Sequence, residues 1–264
     1  MKEKINFKRW AELMNQVYGH NGKWAILFTI MCHFDYKNRP FTPLFFKGGP
    51  YCGKSQLAQS IRSVFSDRSP VCNLTTGADW HLAKILRESP FTTIILDEYL
   101  NDAISPAKFE MLKRYCDETP SVPLIICGQE LPLQDDRILI SRFIICEFSK
   151  HFASCTREEL SFFEELKDIE KSEGALVGVS DEIKALASAI QSYVQMFYKE
   201  HYDVLNKHLP FEMNDKLDSL LKTISYFLAT CKIVETSSNT YDEFLQIAIE
   251  KIRYQSELMK GGPQ

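Results

Sequence analysis

The sequence predicts an α/β protein whose core is a doubly wound, five-stranded parallel sheet, with an N-terminal helical segment and a helical C-terminal subdomain. Between residues 41 and 150, short apolar runs alternate with stretches in which apolar residues recur every three or four positions. This alternation indicates parallel strands covered by helices on both faces. After residue 150 only the helical periodicity continues. We therefore expect three parts, residues 1–40, 41–150 and 151–264.

The N-terminal part is predicted to contain two helices. Apolar residues recur at helical spacing from Trp10 to Val17, and residues 19–22, which include two glycines, interrupt that pattern. A second apolar helix is predicted over residues 23–33. Pro40 and the two residues before it separate these helices from the central part.

The central part supplies the five predicted strands, which share short length and apolar composition: residues 44–47, 71–74, 92–96, 124–127 and 143–148. Helical spacing between them predicts helices over residues 54–65, 78–88 and 106–116. The predicted sheet thus lies entirely within residues 41–150.

The C-terminal part is predicted to be helical throughout, over residues 158–170, 181–201, 214–232 and 240–259. Residues 174–178 and 235–239 are predicted loops, since they interrupt the periodicity. Four aromatic residues recur at helical spacing in these helices, and we expect them to be core residues and not a ligand site: Tyr193, Phe197, Tyr226 and Phe227.

Composition sets broad limits on the function. Hydrophobic residues make up 45% of the chain and charged residues 25%, values typical of a folded globular protein. The net charge of -4 does not exclude nucleic acid, because a local basic surface can bind phosphates on an acidic protein. No apolar run reaches the ~18 residues of a membrane span, so we expect no membrane contact and a cytoplasmic location. The eight cysteines form no CxxC pair, which disfavours a zinc site or a disulfide framework.

A phosphate-binding loop is predicted where the first strand meets its helix. Residues 48–55 read GGPYCGKS and match G-x-x-x-x-G-K-[ST]. Glycines let consecutive amides point at phosphate oxygens, and the following helix adds its positive dipole end. Lys54 can reach the β- and γ-phosphates, and the Ser55 hydroxyl can bind Mg²⁺. The alternative is a chance glycine-rich turn.

We therefore predict ATP and Mg²⁺ as cofactors. The residues expected to contact the nucleotide are those of the loop and the start of its helix: Gly48, Gly49, Pro50, Tyr51, Cys52, Gly53, Lys54, Ser55 and Gln56.

Two carboxylates follow the third predicted strand. Residues 92–98 read TTIILDE, and ligands of such sheets bind at the carboxyl ends of the strands. Asp97 would hold Mg²⁺, and Glu98 would orient or deprotonate the attacking water. The alternative is a pair of acids that caps the next helix. With the phosphate loop upstream, the pair predicts a hydrolase more than a kinase.

Four segments together resemble a known family. They lie within residues 45–148 and read FFKGGPYCGKSQL, TTIILDEYLND, LIICGQELP and DDRILISRFIICEF. These segments resemble AAA+ ATPases, the P-loop type with an additional strand. More narrowly, they resemble the superfamily 3-type helicase domains of phage and mobile-element primase–helicase proteins. The chain departs from the family pattern at Cys52, often a smaller polar residue, and at Gln129, where asparagine is more usual.

The resemblance implies roles for residues downstream. The fourth strand would lie between the phosphate-loop strand and the acidic strand, so that Gln129 at its end could contact the γ-phosphate or the attacking water. Arg142, or as a second choice Arg137, would reach the nucleotide of a neighbouring subunit and stabilise the transition state. The alternatives are an ordinary loop residue for Gln129 and a surface salt bridge for the arginines.

The family also implies an oligomeric ring, commonly of six subunits, that translocates along single-stranded DNA during DNA replication. Basic residues that could contact DNA occur in residues 108–114 and at Lys84 and Arg87, with Tyr115 beside the first group. All of these could equally be solvated helix faces. The basic residues of the N-terminus are as ambiguous: Lys2, Lys4, Lys8 and Arg9.

Three functions from different classes are compatible with these patterns. The first is a DNA helicase or translocase of a phage or mobile element. The second is an ATP-dependent switch that does not unwind DNA, such as a helicase loader or a transposition regulator. The third is a nucleotide-regulated interaction or defence protein. No zinc-binding or primase-like segment is recognisable, so the chain is either a stand-alone ATPase or a piece of a longer protein.

Overall fold

The computed structural model describes residues 5–35, 43–65, 70–88, 92–117, 122–132, 139–151, 154–172, 174–210, 214–234 and 240–261. Five strands are formed: β1 (Leu44–Gly48), β2 (Val71–Asn73), β3 (Ile94–Tyr99), β4 (Leu124–Gly128) and β5 (Ile144–Phe148). The helices that precede or separate them are α1 (Phe7–Tyr18), α2 (His20–Met31), α3 (Lys54–Val64), α4 (Asp79–Glu88) and α5 (Pro106–Asp117). Four more follow the sheet: α6 (Arg157–Lys171), α7 (Val177–Asn206), α8 (Asn214–Ile233) and α9 (Tyr241–Met259).

The five strands form one sheet in the order β2-β3-β4-β1-β5, and every neighbouring pair is parallel. The predicted parallel α/β core is therefore confirmed. So is the expected position of β4 between β1, which leads into the phosphate loop, and β3, which carries the two acids. Because all strands run the same way, their carboxyl ends meet at one edge of the sheet.

Successive residues of a strand face opposite sides of the sheet, and each side has its own core. On β1, Leu44 and Phe46 pack into a cluster with α1, α2, α3 and the C-terminal helices. Phe45 points to the other side and packs with residues of α4 and α5. The strands are apolar at nearly every position because both faces are covered by helices.

The strand β3 is longer than the sequence predicts. It extends from Ile94 to Tyr99, so that Asp97 and Glu98 lie within the strand and not after it. The pairing of β3 with β4 shifts register between Leu96 and Tyr99. Such an irregularity redirects side chains and is frequent beside active sites. The sequence pattern predicts that the strand ends at Leu96, because the charged residues Asp97 and Glu98 are typical of the start of a loop.

The two N-terminal helices pack closely, and α2 begins earlier than predicted. Only Gly19 separates them, so α2 starts at His20 and includes Gly22. A Cβ atom at Gly22 would lie 2.2 Å from the Met14 carbonyl oxygen of α1, so only glycine fits at this crossing. The glycine that suggested a loop instead allows two helices to approach each other.

The C-terminal helices share one core with the N-terminal helices. Trp24 of α2 packs against Phe227 and Phe244, with ring centroids 5.1 and 4.6 Å apart. The buried Lys23 ammonium pairs with the Glu243 carboxylate at 2.5 Å. Helices α1 and α2 therefore pack against the C-terminal helices as well as against the sheet.

Two predictions for the C-terminal part are wrong. Helix α7 begins at Val177, inside the predicted loop over residues 174–178. Tyr193, predicted to be a core residue, is 47% exposed, whereas Phe227 is fully buried as expected. A helix of 30 residues presents aromatic residues to solvent as well as to the core, and spacing alone does not distinguish these faces. None of the described helices combines the length and apolar composition that crossing a bilayer requires.

Candidate nucleotide site

The phosphate loop lies between β1 and α3, as the motif predicts. Gly53, the residue before α3, has a φ of 97°, in the left-handed region where glycine is favoured. Tyr51 at the tip of the loop also has a positive φ of 58°, which is uncommon for a residue with a side chain. This backbone turns the chain sharply from the sheet into the helix.

The Lys54 side chain folds back over the loop. Its Nζ atom donates hydrogen bonds to the carbonyl oxygens of Gly48, at 2.5 Å, and Gly49, at 2.6 Å. The Cys52 Sγ atom lies 3.4 Å from the same ammonium. Lys54 is buried, and its charge is thereby fixed at the centre of the loop.

The predicted metal-binding residues lie together although they are 42 positions apart in the sequence. The Ser55 Oγ atom donates to the Asp97 Oδ1 atom at 3.2 Å. Ser55 belongs to the first turn of α3 and Asp97 to β3, so the contact requires the sheet to bring both elements to one edge. A hydroxyl and a carboxylate are oxygen ligands of the kind that Mg²⁺ prefers.

These residues fit a magnesium-bound triphosphate. Within the described residues, helix α3 begins without a side-chain cap, so the amides of its first turn remain available to an anion. No atom lies within 4 Å of the position that a Cβ of Gly49 would take, which leaves open space beside the loop. Lys54 would contact the phosphates, Ser55 and Asp97 would hold Mg²⁺, and the cation would neutralise phosphate charge.

Glu98 adopts an unusual backbone conformation. Its φ is 60°, in the left-handed region that few residues other than glycine occupy. Its amide donates to the Asp97 Oδ1 atom at 2.9 Å, within the segment of β3 that slips relative to β4. Strained backbone of this kind is concentrated at functional sites, where the surrounding structure maintains it.

Asn73 is a site residue that the sequence analysis missed. Its Nδ2 atom donates to the Glu98 Oε2 atom at 2.5 Å, and Asn73 is the last residue of β2, paired with Asp97 in the sheet. Thr75 supports the same residue, because its hydroxyl donates to the Glu98 carbonyl oxygen at 2.7 Å. In the sequence, the only indication of this role is that Asn73 is a polar residue at the end of an apolar strand. Only the strand order places Asn73 beside the acids.

We expect the Asn73→Ala enzyme to hydrolyse ATP about 10-fold more slowly, with KM nearly unchanged, because Glu98 loses the donor that fixes its carboxylate. Asn73→Asp should be slower still, since a second carboxylate would then face Glu98 at hydrogen-bond distance. Steady-state kcat and KM measure both effects. Thr76→Ala, a change in an exposed neighbouring side chain, is the control. Full kcat in Asn73→Ala would show that this hydrogen bond does not position Glu98 for catalysis.

The other two predicted catalytic residues lie at different places. Gln129 directly follows β4, and its backbone amide donates to the Tyr99 carbonyl oxygen at 3.3 Å. Its exposed side chain therefore lies at the same sheet edge as Glu98. Arg142 is held within its own chain. Its Nη1 atom donates to Ser219 of α8 at 2.5 Å and its Nη2 atom to Asp117 of α5 at 3.0 Å. Arg137 lies outside the described residues.

Three of the residues considered for DNA contact have partners within the chain. Lys108 is only 4% exposed, and its ammonium donates to the Leu74 carbonyl oxygen at 2.6 Å. The Tyr115 hydroxyl donates to the Val122 carbonyl oxygen at 2.8 Å. Arg9 forms a bidentate pair with Glu165. The prediction is therefore wrong for Lys108, which is buried, whereas Tyr115 and Arg9 have partners within the chain. Lys2 and Lys4 lie outside the described residues.

Cys127 at the end of β4 is a further neighbour of the site. Burial raises the pKa of its thiol well above the usual value, and the Asp97 carboxylate raises it further, against the opposing effect of Lys54. The thiol therefore stays protonated at neutral pH and acts as an apolar wall. Among the described side chains, no group of three or more histidine, cysteine or acidic residues forms a metal cluster.

A comparison with one solved structure supports the fold. No protein-family model and no curated protein matches the chain. It is similar to a solved structure described as SCCmec type IV Cch, an active helicase, with a TM-score of 0.61 and 16% identity over 97% of this chain. The chain spans about half, 53%, of that helicase chain. Another match, the apo A form of the NrS-1 C-terminal region, has a TM-score of 0.41 with 14% identity, covers 99% of this chain and 68% of that chain, and supports no conclusion.

Proposed function

We propose that this chain is an ATP-hydrolysing motor of the AAA+ additional-strand type that acts on DNA as a helicase or translocase of a phage or mobile element. The observation that carries the proposal is the convergence of Lys54 and Ser55 with Asp97 and Glu98 at one edge of the sheet. These residues supply a phosphate-binding cation, two Mg²⁺ ligands and a base for water. The fold shared with a helicase supports the same proposal.

Hydrolysis follows from the positions of the chain's own groups. Lys54 and the free amides of α3 would hold the triphosphate, and bound Mg²⁺ would offset the charge that develops on the phosphates. Glu98, directed by Asn73, would accept a hydrogen bond from water and orient it for attack. Glu98 is exposed, so its carboxylate is accessible to the attacking water.

Assembly is the second element of the proposal. Arg142 contacts Ser219 and Asp117 of its own chain, and we propose that it exchanges these partners for a neighbouring subunit's nucleotide in a ring of about six subunits. The buried Arg142 Nε atom has no hydrogen-bond partner among the described residues. An unpaired buried donor costs free energy, so the present position of the side chain is not its most favourable one. Arg142→Ala should therefore retain ATP binding and lose assembly-dependent turnover.

The proposal is tested by measuring ATPase activity with and without single-stranded DNA, together with molecular mass by light scattering in a slowly hydrolysed ATP analogue. We expect DNA to stimulate turnover and the analogue to produce a ring. Separation of a forked duplex would identify a helicase. DNA stimulation without unwinding would indicate a loader, a transposition regulator or a translocase. A monomer that neither binds DNA nor responds to it would contradict the proposal and favour a nucleotide-regulated interaction or defence protein.

A further inference from the structure

One face of α4 combines an exposed aromatic ring with two cations. Trp80, Lys84 and Arg87 occupy positions i, i+4 and i+7, so they lie on the same side of the helix. Trp80 is 70% exposed, and both basic side chains are exposed as well. The opposite side carries Leu82 and Ile85, which are buried against the sheet. The apolar face of α4 is thus already occupied, and the indole projects from its solvent side.

None of the described side chains neutralises the charge on this face. Among the described residues, neither Lys84 nor Arg87 forms an ion pair or a hydrogen bond. The chain has no acidic residue between Trp80 and Arg87. Asp79, at the start of the helix, is engaged elsewhere, because its Oδ1 atom accepts from Ser105 at 3.2 Å and pairs with Lys108 at 3.8 Å. The face therefore presents a net positive surface beside an exposed ring.

The start of α4 is firmly anchored. The buried Lys108 donates to the carbonyl oxygen of Leu74, just after β2, and pairs with Asp79. The Gly77 amide donates to the Asn73 carbonyl oxygen at 2.9 Å, which closes the turn between β2 and α4. A ring held on an anchored helix loses little freedom when a ligand stacks on it, which favours binding.

We propose that this face, Trp80 with Lys84 and Arg87, binds single-stranded nucleic acid, with a base stacked on the indole and backbone phosphates paired with the two cations. Stacking on aromatic rings combined with nearby positive charge is how proteins bind single strands without sequence preference. The three side chains extend over about 10 Å of helix, enough for consecutive nucleotides. This inference deepens the proposed action on DNA and rests on it.

The alternative basic surface on α5 fits this role less well. Lys108 is buried, and Tyr115 is partly buried with its hydroxyl donated to the Val122 carbonyl oxygen, so its ring is less exposed than that of Trp80. Lys113 pairs with Glu110 at 3.8 Å. The α4 face differs because its ring and its cations are all exposed together.

The test uses the three tryptophans of the chain. Trp10 and Trp24 are 0% and 1% exposed, so quenching of tryptophan fluorescence by an oligonucleotide would report on Trp80. We expect (dT)20 to quench the wild-type protein. By anisotropy of a labelled strand, Trp80→Ala should bind about 5- to 100-fold more weakly. Trp80→Phe keeps a ring and should retain most of the affinity while losing the quenching.

The charge contribution is measured by salt dependence. Replacing Lys84 and Arg87 together by glutamine should reduce the slope of log K against log salt by about 1.4, since each phosphate contact to a single strand contributes ~0.7. Matched controls lie on α7. Tyr193→Ala removes another exposed ring, and the double change of Lys184 and Lys199 to glutamine removes the same charge. Both controls should bind like wild type, and ATP binding should be unchanged in every variant.

Each outcome supports or overturns the inference. Weaker binding by Trp80→Ala and by the double glutamine variant places a single strand on this face. Tighter binding of (dT)20 than of (rU)20 then identifies DNA as the ligand, and the reverse identifies RNA. If wild type binds a strand but Trp80→Ala and the double glutamine variant bind equally well, this inference is wrong while the proposed function stands. If wild type binds neither strand, with or without a slowly hydrolysed ATP analogue, the DNA part of the proposed function fails as well.

Discussion

Lys54→Ala should bind ATP at least ~100-fold more weakly than the wild-type protein, the largest effect on ATP affinity that we expect of any single change. The substitution removes a buried ammonium fixed at the centre of the phosphate loop by two carbonyl oxygens. Lys54 would donate hydrogen bonds to the β- and γ-phosphates. Hydrogen bonds to charged groups contribute about 1.5–3 kcal/mol each, so losing two bonds to the phosphates corresponds to this factor or more. Titration calorimetry with a slowly hydrolysed ATP analogue and Mg²⁺ measures the change.

A matched control separates loss of the site from loss of the fold. Lys222→Ala removes an exposed lysine of α8 whose partner is Asp218, one helical turn away, and it should bind ATP normally. Circular dichroism should show the same helical content for both variants. ATP affinity within about threefold of wild type in Lys54→Ala would mean that the loop does not bind the triphosphate.

Glu98→Gln should bind ATP with wild-type affinity and hydrolyse it at least ~100-fold more slowly, the usual contribution of a general base. Glutamine preserves the size of the side chain and can still accept the hydrogen bond from Asn73, so the positive φ at this position should be undisturbed. It cannot take a proton from water. Single-turnover hydrolysis, measured with enzyme in excess, isolates this step from product release.

Glu110→Gln is the control for this change, because Glu110 is an exposed carboxylate of α5 that pairs with Lys113 on its own helix. Its turnover should equal that of the wild-type protein. Single-turnover rates for Glu98→Gln within threefold of wild type would assign the base to another residue. The combination of retained binding and lost turnover would distinguish Glu98 from Lys54, whose loss prevents binding itself.

The phosphate loop could be predicted from sequence because its chemistry is local. Eight consecutive residues, GGPYCGKS, contain the glycine that accepts a positive φ, the lysine and the serine. The pairing of Ser55 with Asp97 could be anticipated as well, since parallel strands bring their carboxyl ends to one edge. The bounds of most elements followed from apolar periodicity, because burial on both faces of the sheet requires it.

The roles of exposed and buried charges were not predictable in this way. In the sequence, Lys108 and Lys84 are both basic residues on amphipathic helices. In the structure, Lys108 is buried beneath the start of α4, whereas Lys84 is exposed on the same helix face as Trp80. A lysine buries its charge only where a carbonyl oxygen or a carboxylate meets it, and that partner is 34 residues away in the sequence. Periodicity identifies the face of a helix but not what covers it.

The sequence by itself determined the parallel sheet, the phosphate loop and the acidic pair, since each depends on neighbouring residues or on a regular apolar repeat. Tertiary structure alone decided that Asn73 holds Glu98, that Arg142 is bound between α5 and α8, and that β3 extends through both acids. These features depend on strand order and helix packing, which join residues far apart in the chain. Long-range contacts are fixed by the total free energy of the fold, and no short segment encodes them.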